Sequence, residues 1–127
     1  MTDGTHQSTL SQVSNAMVSL HKEQFGRGPT RARSNFAGAD TLVCTLEDVL
    51  LPAELKLAEL GETKSVRDTR TSFQAATAPA FITAIEAITH RKVRAFASGI
   101  DVGKSVAFEI FQFEPSEPAG QTNGDAE

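Results

Sequence analysis

The run Leu20-His21-Lys22-Glu23-Gln24-Phe25-Gly26-Arg27-Gly28-Pro29-Thr30-Arg31-Ala32-Arg33 constrains the fold more than any other part of the chain. It forces a helix to end, the backbone to turn and a strand to begin within a few residues. Leu10, Val13 and Met17 precede it and Leu20 opens it, at spacings of three and four, which places them on one helix face. Ser8 or Thr9 is suited to cap that helix. Gly26 and Gly28 should end it near Gln24, and Pro29 locks the φ that follows. Lys22, Arg27, Arg31 and Arg33 crowd the turn against one acid, Glu23. Arg27, Arg31 and Arg33 with the Gly28 backbone form a candidate anion site, for a carboxylate, bicarbonate or phosphate. The plainer reading is a turn ringed by surface ion pairs. It is not a phosphate-binding P-loop, because no lysine follows in the required place and no strand precedes it.

Two strands are expected next, over 31–37 and 41–47, joined by Ala37-Gly38-Ala39-Asp40 as an antiparallel hairpin. In the second, Leu42, Cys44 and Leu46 alternate with Thr41, Val43 and Thr45, so one face is apolar. Pro52 suits the first turn of a short helix over 52–61. A longer helix is expected from Lys64 to His90, with Val66, Phe73, Phe81, Ile85 and Ile88 as its stripe. Pro79 should kink that helix or restart it. A second hairpin follows, with strands over 93–98 and 105–114 and the loop Gly99-Ile100-Asp101-Val102-Gly103. In its last strand Val106, Phe108 and Ile110 share one face, and Phe111 and Phe113 share the other with Glu109. An apolar second face predicts self-association, a homodimer through Phe111 and Phe113. The order α-β-β-α-α-β-β predicts an α+β fold: an antiparallel four-stranded sheet with helices packed on one face.

The chain has 127 residues, enough for one domain. Residues 1–7 read as a flexible N-terminus, 8–115 as the domain and 116–127 as a disordered acidic tail. The formal net charge of −4 misleads about the domain. All 12 lysines and arginines fall within residues 8–114, and 12 of the 16 acids do so too, leaving that span neutral. Basic patches are therefore compatible with an acidic chain. A lone cysteine, Cys44, excludes an intramolecular disulfide and reads as a buried, inert thiol. No basic region followed by an apolar run marks a signal peptide. No segment reaches the roughly 18 apolar residues that a membrane span needs. A cytoplasmic protein is expected, peripheral to a membrane only through a partner.

Two further basic groups accompany the turn. Arg67 and Arg70 share a helix face near a helix N-terminus, where cations are disfavoured, so an anion or a pairing carboxylate is expected beside them. His90, Arg91, Lys92 and Arg94 lie at a helix C-terminus, where ordinary electrostatics already favours them. The three histidines, His6, His21 and His90, share no ligand spacing, so no metal and no cofactor is expected. Glu47 and Asp48 are adjacent on a strand and face opposite ways, and no nucleophile elbow is present, so no catalytic residues are assigned and no enzyme is expected. Single-strand RNA-binding domains with a glycine loop between two helices offer another reading. Here that loop reads Gly61-Glu62-Thr63-Lys64, with one glycine and an acid, and nucleic acid ranks below a protein partner.

Four segments resemble a known family in its order. They are His21-Lys22 with Phe25 to Arg33, Val66-Arg67-Asp68-Thr69-Arg70 with Phe73-Gln74, Thr89 to Phe96, and Val106 to Pro115. Together they resemble the MpsC family, small bacterial proteins named after a sodium-translocating, membrane potential-generating system. The resemblance implies a non-catalytic accessory or regulatory protein that supports such a membrane system, with inorganic-carbon supply as one route. It also implies a membrane transport partner. Arg27, Gly28, Arg31 and Arg33 are then the expected contact surface, supported by Arg67 and Arg70. The alternative is a small anion- or nucleic-acid-binding module that uses the same basic, glycine-rich turn.

Overall fold

The computed structural model describes residues 2–115, with side chains from residue 8 onward. The flexible N-terminus and acidic tail expected from sequence lie, respectively, in part and wholly outside what is described. Helix α1 (Thr2–Phe25) starts earlier than the Ser8/Thr9 cap would place it. It ends where Gly26 adopts φ +87° and its N–H returns to Lys22 O at 2.8 Å. Strands β1 (Arg31–Phe36) and β2 (Thr41–Glu47) form the expected hairpin. Helix α2 (Pro52–Glu59) begins on Pro52. Helix α3 (Thr63–Thr89) runs as one element through Pro79, so the restart alternative does not hold. Strand β3 (Val93–Asp101) and β4 (Val106–Phe113) form the second hairpin.

The four strands make one antiparallel sheet in the order β1-β2-β4-β3. The fold is therefore the α+β arrangement with the α-β-β-α-α-β-β order. The second hairpin is longer than its sequence suggests. Gly99, Ile100 and Asp101 pair with Phe108, Ala107 and Val106, and only Val102–Lys104 form the turn, as one 3-10 turn. Glycine at strand position 99 costs pairing stability but does not forbid pairing.

The core lies between the sheet and α1 and α3. Val13 and Met17 from α1 meet Leu42, Cys44 and Leu46 from β2 and Phe81 and Ile85 from α3. Phe96 stacks between Phe81 and Phe111, with centroids 6.0 and 4.6 Å away. Such ring pairs add stability beyond their buried area.

The faces of β4 reverse the expectation. Phe111 and Phe113 are fully buried in the core, whereas Phe108 and Ile110 are 39% and 38% exposed on the opposite face. The two faces are those that strand alternation sets, but the Phe111–Phe113 face turns inward, opposite to the expectation. Glu109 shares the inward face with Phe111 and Phe113 and is itself buried. A self-association surface built on Phe111 and Phe113 is thereby excluded within this fold, because both rings are consumed by the core.

Candidate functional site

The Asp48-Val49-Leu50-Leu51 connection between β2 and α2 collects two of the expected site arginines. Arg27 donates to Leu50 O at 2.8 Å and to the Asp48 carboxylate at 3.0 Å. Arg70 donates to Val49 O at 2.9 Å and grips Glu54 through two bonds of 2.8 and 2.6 Å. Glu54 Oε1 also accepts the Leu51 N–H at 2.8 Å, closing the start of α2. Arg70 and Glu54 are both buried, and the guanidinium lies 3.9 Å from the centre of the Phe25 ring. Burial pushes the Glu54 carboxyl up, but the bonds from Arg70 and Leu51 and the guanidinium charge outweigh it and hold it below its ordinary value. This is the pairing carboxylate expected beside Arg67 and Arg70, and it pairs with Arg70 alone.

Gly28 has a structural reason of its own. A Cβ there would meet Val18 O at 2.8 Å, so glycine lets the turn lie against α1. Arg31 and Arg33 point elsewhere. They belong to the cross-strand rows Arg31–Glu47–Val106–Asp101 and Arg33–Thr45–Phe108–Gly99, on the face of the sheet away from the helices. Both are exposed. Arg67 is exposed on α3, on the helical side. The six candidate residues therefore do not make one surface. Arg27 and Arg70 clamp a connection, Gly28 permits a close approach, Arg31 and Arg33 lie on the open sheet face, and Arg67 stands across the molecule from them. The third basic group is also occupied structurally: Arg91 bonds Ala39 O, Asp40 and Glu114 O, and covers the Phe113 ring.

A second buried pair escaped the sequence reading. His21 Nε2 stands 3.4 Å from Glu109 Oε2, with the two side chains only 6% and 5% exposed. His21 Nδ1 lies 2.9 Å from Met17 O, and a carbonyl oxygen can only accept, so Nδ1 carries the hydrogen. Phe81 meets the imidazole edge-on at 5.3 Å. The ring is thus held from three sides. Glu109 is held from one: its Oε1 is buried and has no hydrogen-bond partner among the described residues. An unsatisfied buried acceptor of this kind costs about 1–3 kcal/mol.

The pair lines a cavity of about 310 Å³ between α1, α3, β3 and β4. Its buried lining includes His21, Arg70, Phe81, Ala107 and Glu109, and its exposed lining includes Arg67, Thr71 and Gly99. It therefore opens to solvent beside α3 and closes on the His21–Glu109 pair. A sequence signal for this site existed. His21 continues the spacing of four that runs through Val13 and Met17, and Glu109 shares a strand face with Ala107 and Phe111. A titratable residue in register with the core on both elements marks a buried polar pair.

Cys44 lies fully buried beneath the same region and accepts a bond from Ser34 Oγ at 3.5 Å. Burial raises its thiol, Ser34 opposes and the Glu109 charge adds to the rise, which takes it up to about 11.

Fold and site together define a small α+β domain with one open sheet face and a half-open cavity that ends on a buried acid–imidazole pair. The chain belongs to the MpsC family, whose model, described as Na+-translocating membrane potential-generating system (MpsC), matches residues 5–115. No curated protein and no solved structure matches the chain. Among the described residues no helix is long and apolar enough to cross a membrane.

Proposed function

We propose that this protein is a non-catalytic accessory component of a sodium-translocating, membrane potential-generating system. The family match over residues 5–115 carries the reading, since it takes in every strand and helix of the domain except the first few residues of α1. The ion path is assigned to a membrane partner. The absence of a catalytic role is supported by the site chemistry. Both nitrogens of His21 are engaged, by Met17 O and by Glu109, so neither is free to activate a nucleophile. The Cys44 thiol is buried and poorly ionised.

The partner contact is assigned to the turn and β1, where Arg31 and Arg33 are exposed side chains on an uncovered sheet face. The homodimer is assigned to the same open face, around Phe108, Ile110 and Val43. Arg31 and Asp101 end one cross-strand row at opposite edges of the sheet. A twofold axis parallel to the strands would set each over the other. Sedimentation of the wild type and of a Phe108→Lys/Ile110→Lys variant tests this; equal mass for both, at every concentration, removes the dimer from this face.

Capture of the tagged protein at native level from detergent-solubilised cells tests the accessory reading. The expected result is co-recovery of a polytopic ion-transport protein, lost on Arg31→Glu/Arg33→Glu substitution. Recovery of the protein alone, or with nucleic acid in a strongly salt-dependent manner, overturns it and favours the anion- or nucleic-acid-binding alternative.

A further inference from the structure

We propose that the cavity beside α3 binds a small organic acid that carries a hydroxyl or amine at the far end of an apolar body. Three parts of the cavity call for three parts of such a molecule. Glu109 lines the buried end, and its Oε1 is an acceptor with no partner among the described residues, in a side chain 5% exposed. Its other oxygen already faces His21, and the His21 ring is fixed by Met17 O, so the imidazole cannot swing to satisfy Oε1 as well. A ligand donor can.

The walls between the buried end and the mouth include Phe25, Phe81 and Ile100, which suit an apolar body. The mouth carries Arg67, exposed and without an ion pair among the described residues. Arg70 lines the same cavity but is spent on Glu54 and Val49 O. Arg67 is therefore the cation left to meet a carboxylate. At about 310 Å³ the cavity has room for roughly ten non-hydrogen atoms, taking a water's share of liquid volume for each.

This site is independent of the accessory reading. A protein that binds no membrane partner would still bind the acid, and one that binds no acid could still find its partner.

The test is a titration of the full-length, nitrogen-15-labelled protein with three probes of this chemistry: para-hydroxyphenylacetate, gamma-aminobutyrate and epsilon-hydroxycaproate. Saturable shifts are expected for at least one probe, at the Thr71, Gly99 and Ala107 amides. Phenylacetate, which lacks the donor, should bind about tenfold more weakly than its hydroxylated counterpart if that counterpart is the probe that binds. Arg67→Ala and Glu109→Met should each weaken binding by about the same factor. Thr71→Trp, an exposed change at the mouth, should abolish binding and leave the thermal midpoint in place. If Glu109→Met fails to fold, Arg67→Ala and Thr71→Trp decide the matter, since neither residue is buried. The proposal is overturned if none of the three probes gives saturable shifts, or if the shifts survive Thr71→Trp.

Discussion

Two buried pairs of a carboxylate with a basic side chain sit within one small domain, and they are finished to different degrees. Arg70–Glu54 is complete: the guanidinium holds both carboxylate oxygens and Val49 O, and the carboxylate also takes the Leu51 N–H. His21–Glu109 is incomplete: one carboxylate oxygen meets the imidazole and the other meets nothing among the described residues. Arg70 of the first pair and both members of the second line the same cavity. A buried charge is tolerated when every lone pair is matched, and a mismatch that persists calls for another explanation. The complete pair is a clamp that fixes the start of α2. The incomplete pair lies at the closed end of a cavity that opens to solvent.

The largest expected effect comes from breaking the complete pair. Arg70→Ala should cost about 3–5 kcal/mol in urea unfolding, because Glu54 would remain buried and uncompensated. A loss below about 1 kcal/mol would show that the clamp is ornamental. Replacing both partners, Arg70→Met with Glu54→Leu, should still cost about 2 kcal/mol, since Val49 O and the Leu51 N–H lose their partners.

The same double replacement at the incomplete pair sharpens the contrast. His21→Phe with Glu109→Leu should be neutral or stabilising by about 1 kcal/mol, as an orphaned acceptor leaves the interior. A loss as large as that of the Arg70/Glu54 double variant would mean that the two pairs are equivalent after all.

The acid limb of the stability curve separates the pairs further. Glu54 is held below its ordinary value, so its contribution is fully present above the unfolded carboxyl's pKa of about 4.3 and is lost as pH falls through the lower folded value. Urea midpoints should therefore drop on acidification below about pH 4.3, and Glu54→Gln should flatten that drop. An unchanged slope in the variant would remove Glu54 from the acid transition. The smallest effect concerns Cys44. With its thiol raised to about 11 and its side chain buried, alkylation of the native protein at mildly alkaline pH should be slower than that of the urea-unfolded chain by a large factor. Equal rates would place the thiol outside the core.

Much of the fold was legible in the sequence. Gly26 and Gly28 mark the end of α1, Pro52 marks the start of α2, and the alternation over 41–47 marks a half-buried strand, all from short-range rules. The extension of β3 through Gly99 to Asp101 was not, because a glycine reads as a break and only the partner strand can show that pairing continues. The candidate site was less legible. Arg27 and Arg70 were singled out as a basic surface, yet their guanidinium groups are turned onto the backbone of residues 48–51. Charge type was readable and charge destination was not.

The sequence by itself determined the elements, their order and the pairing of side chains on each strand face. Helical spacing, turn glycines and strand alternation depend on neighbours within a few residues, so the chain carries them locally. Tertiary structure decided which face of β4 turns inward. Alternation makes two faces and does not say which one meets the helices. Glu109 reads as a solvent-facing residue until His21, from a distant helix, arrives beside it. The energy of a buried charge is set by the groups packed around it, and those groups are assembled only when the chain has folded.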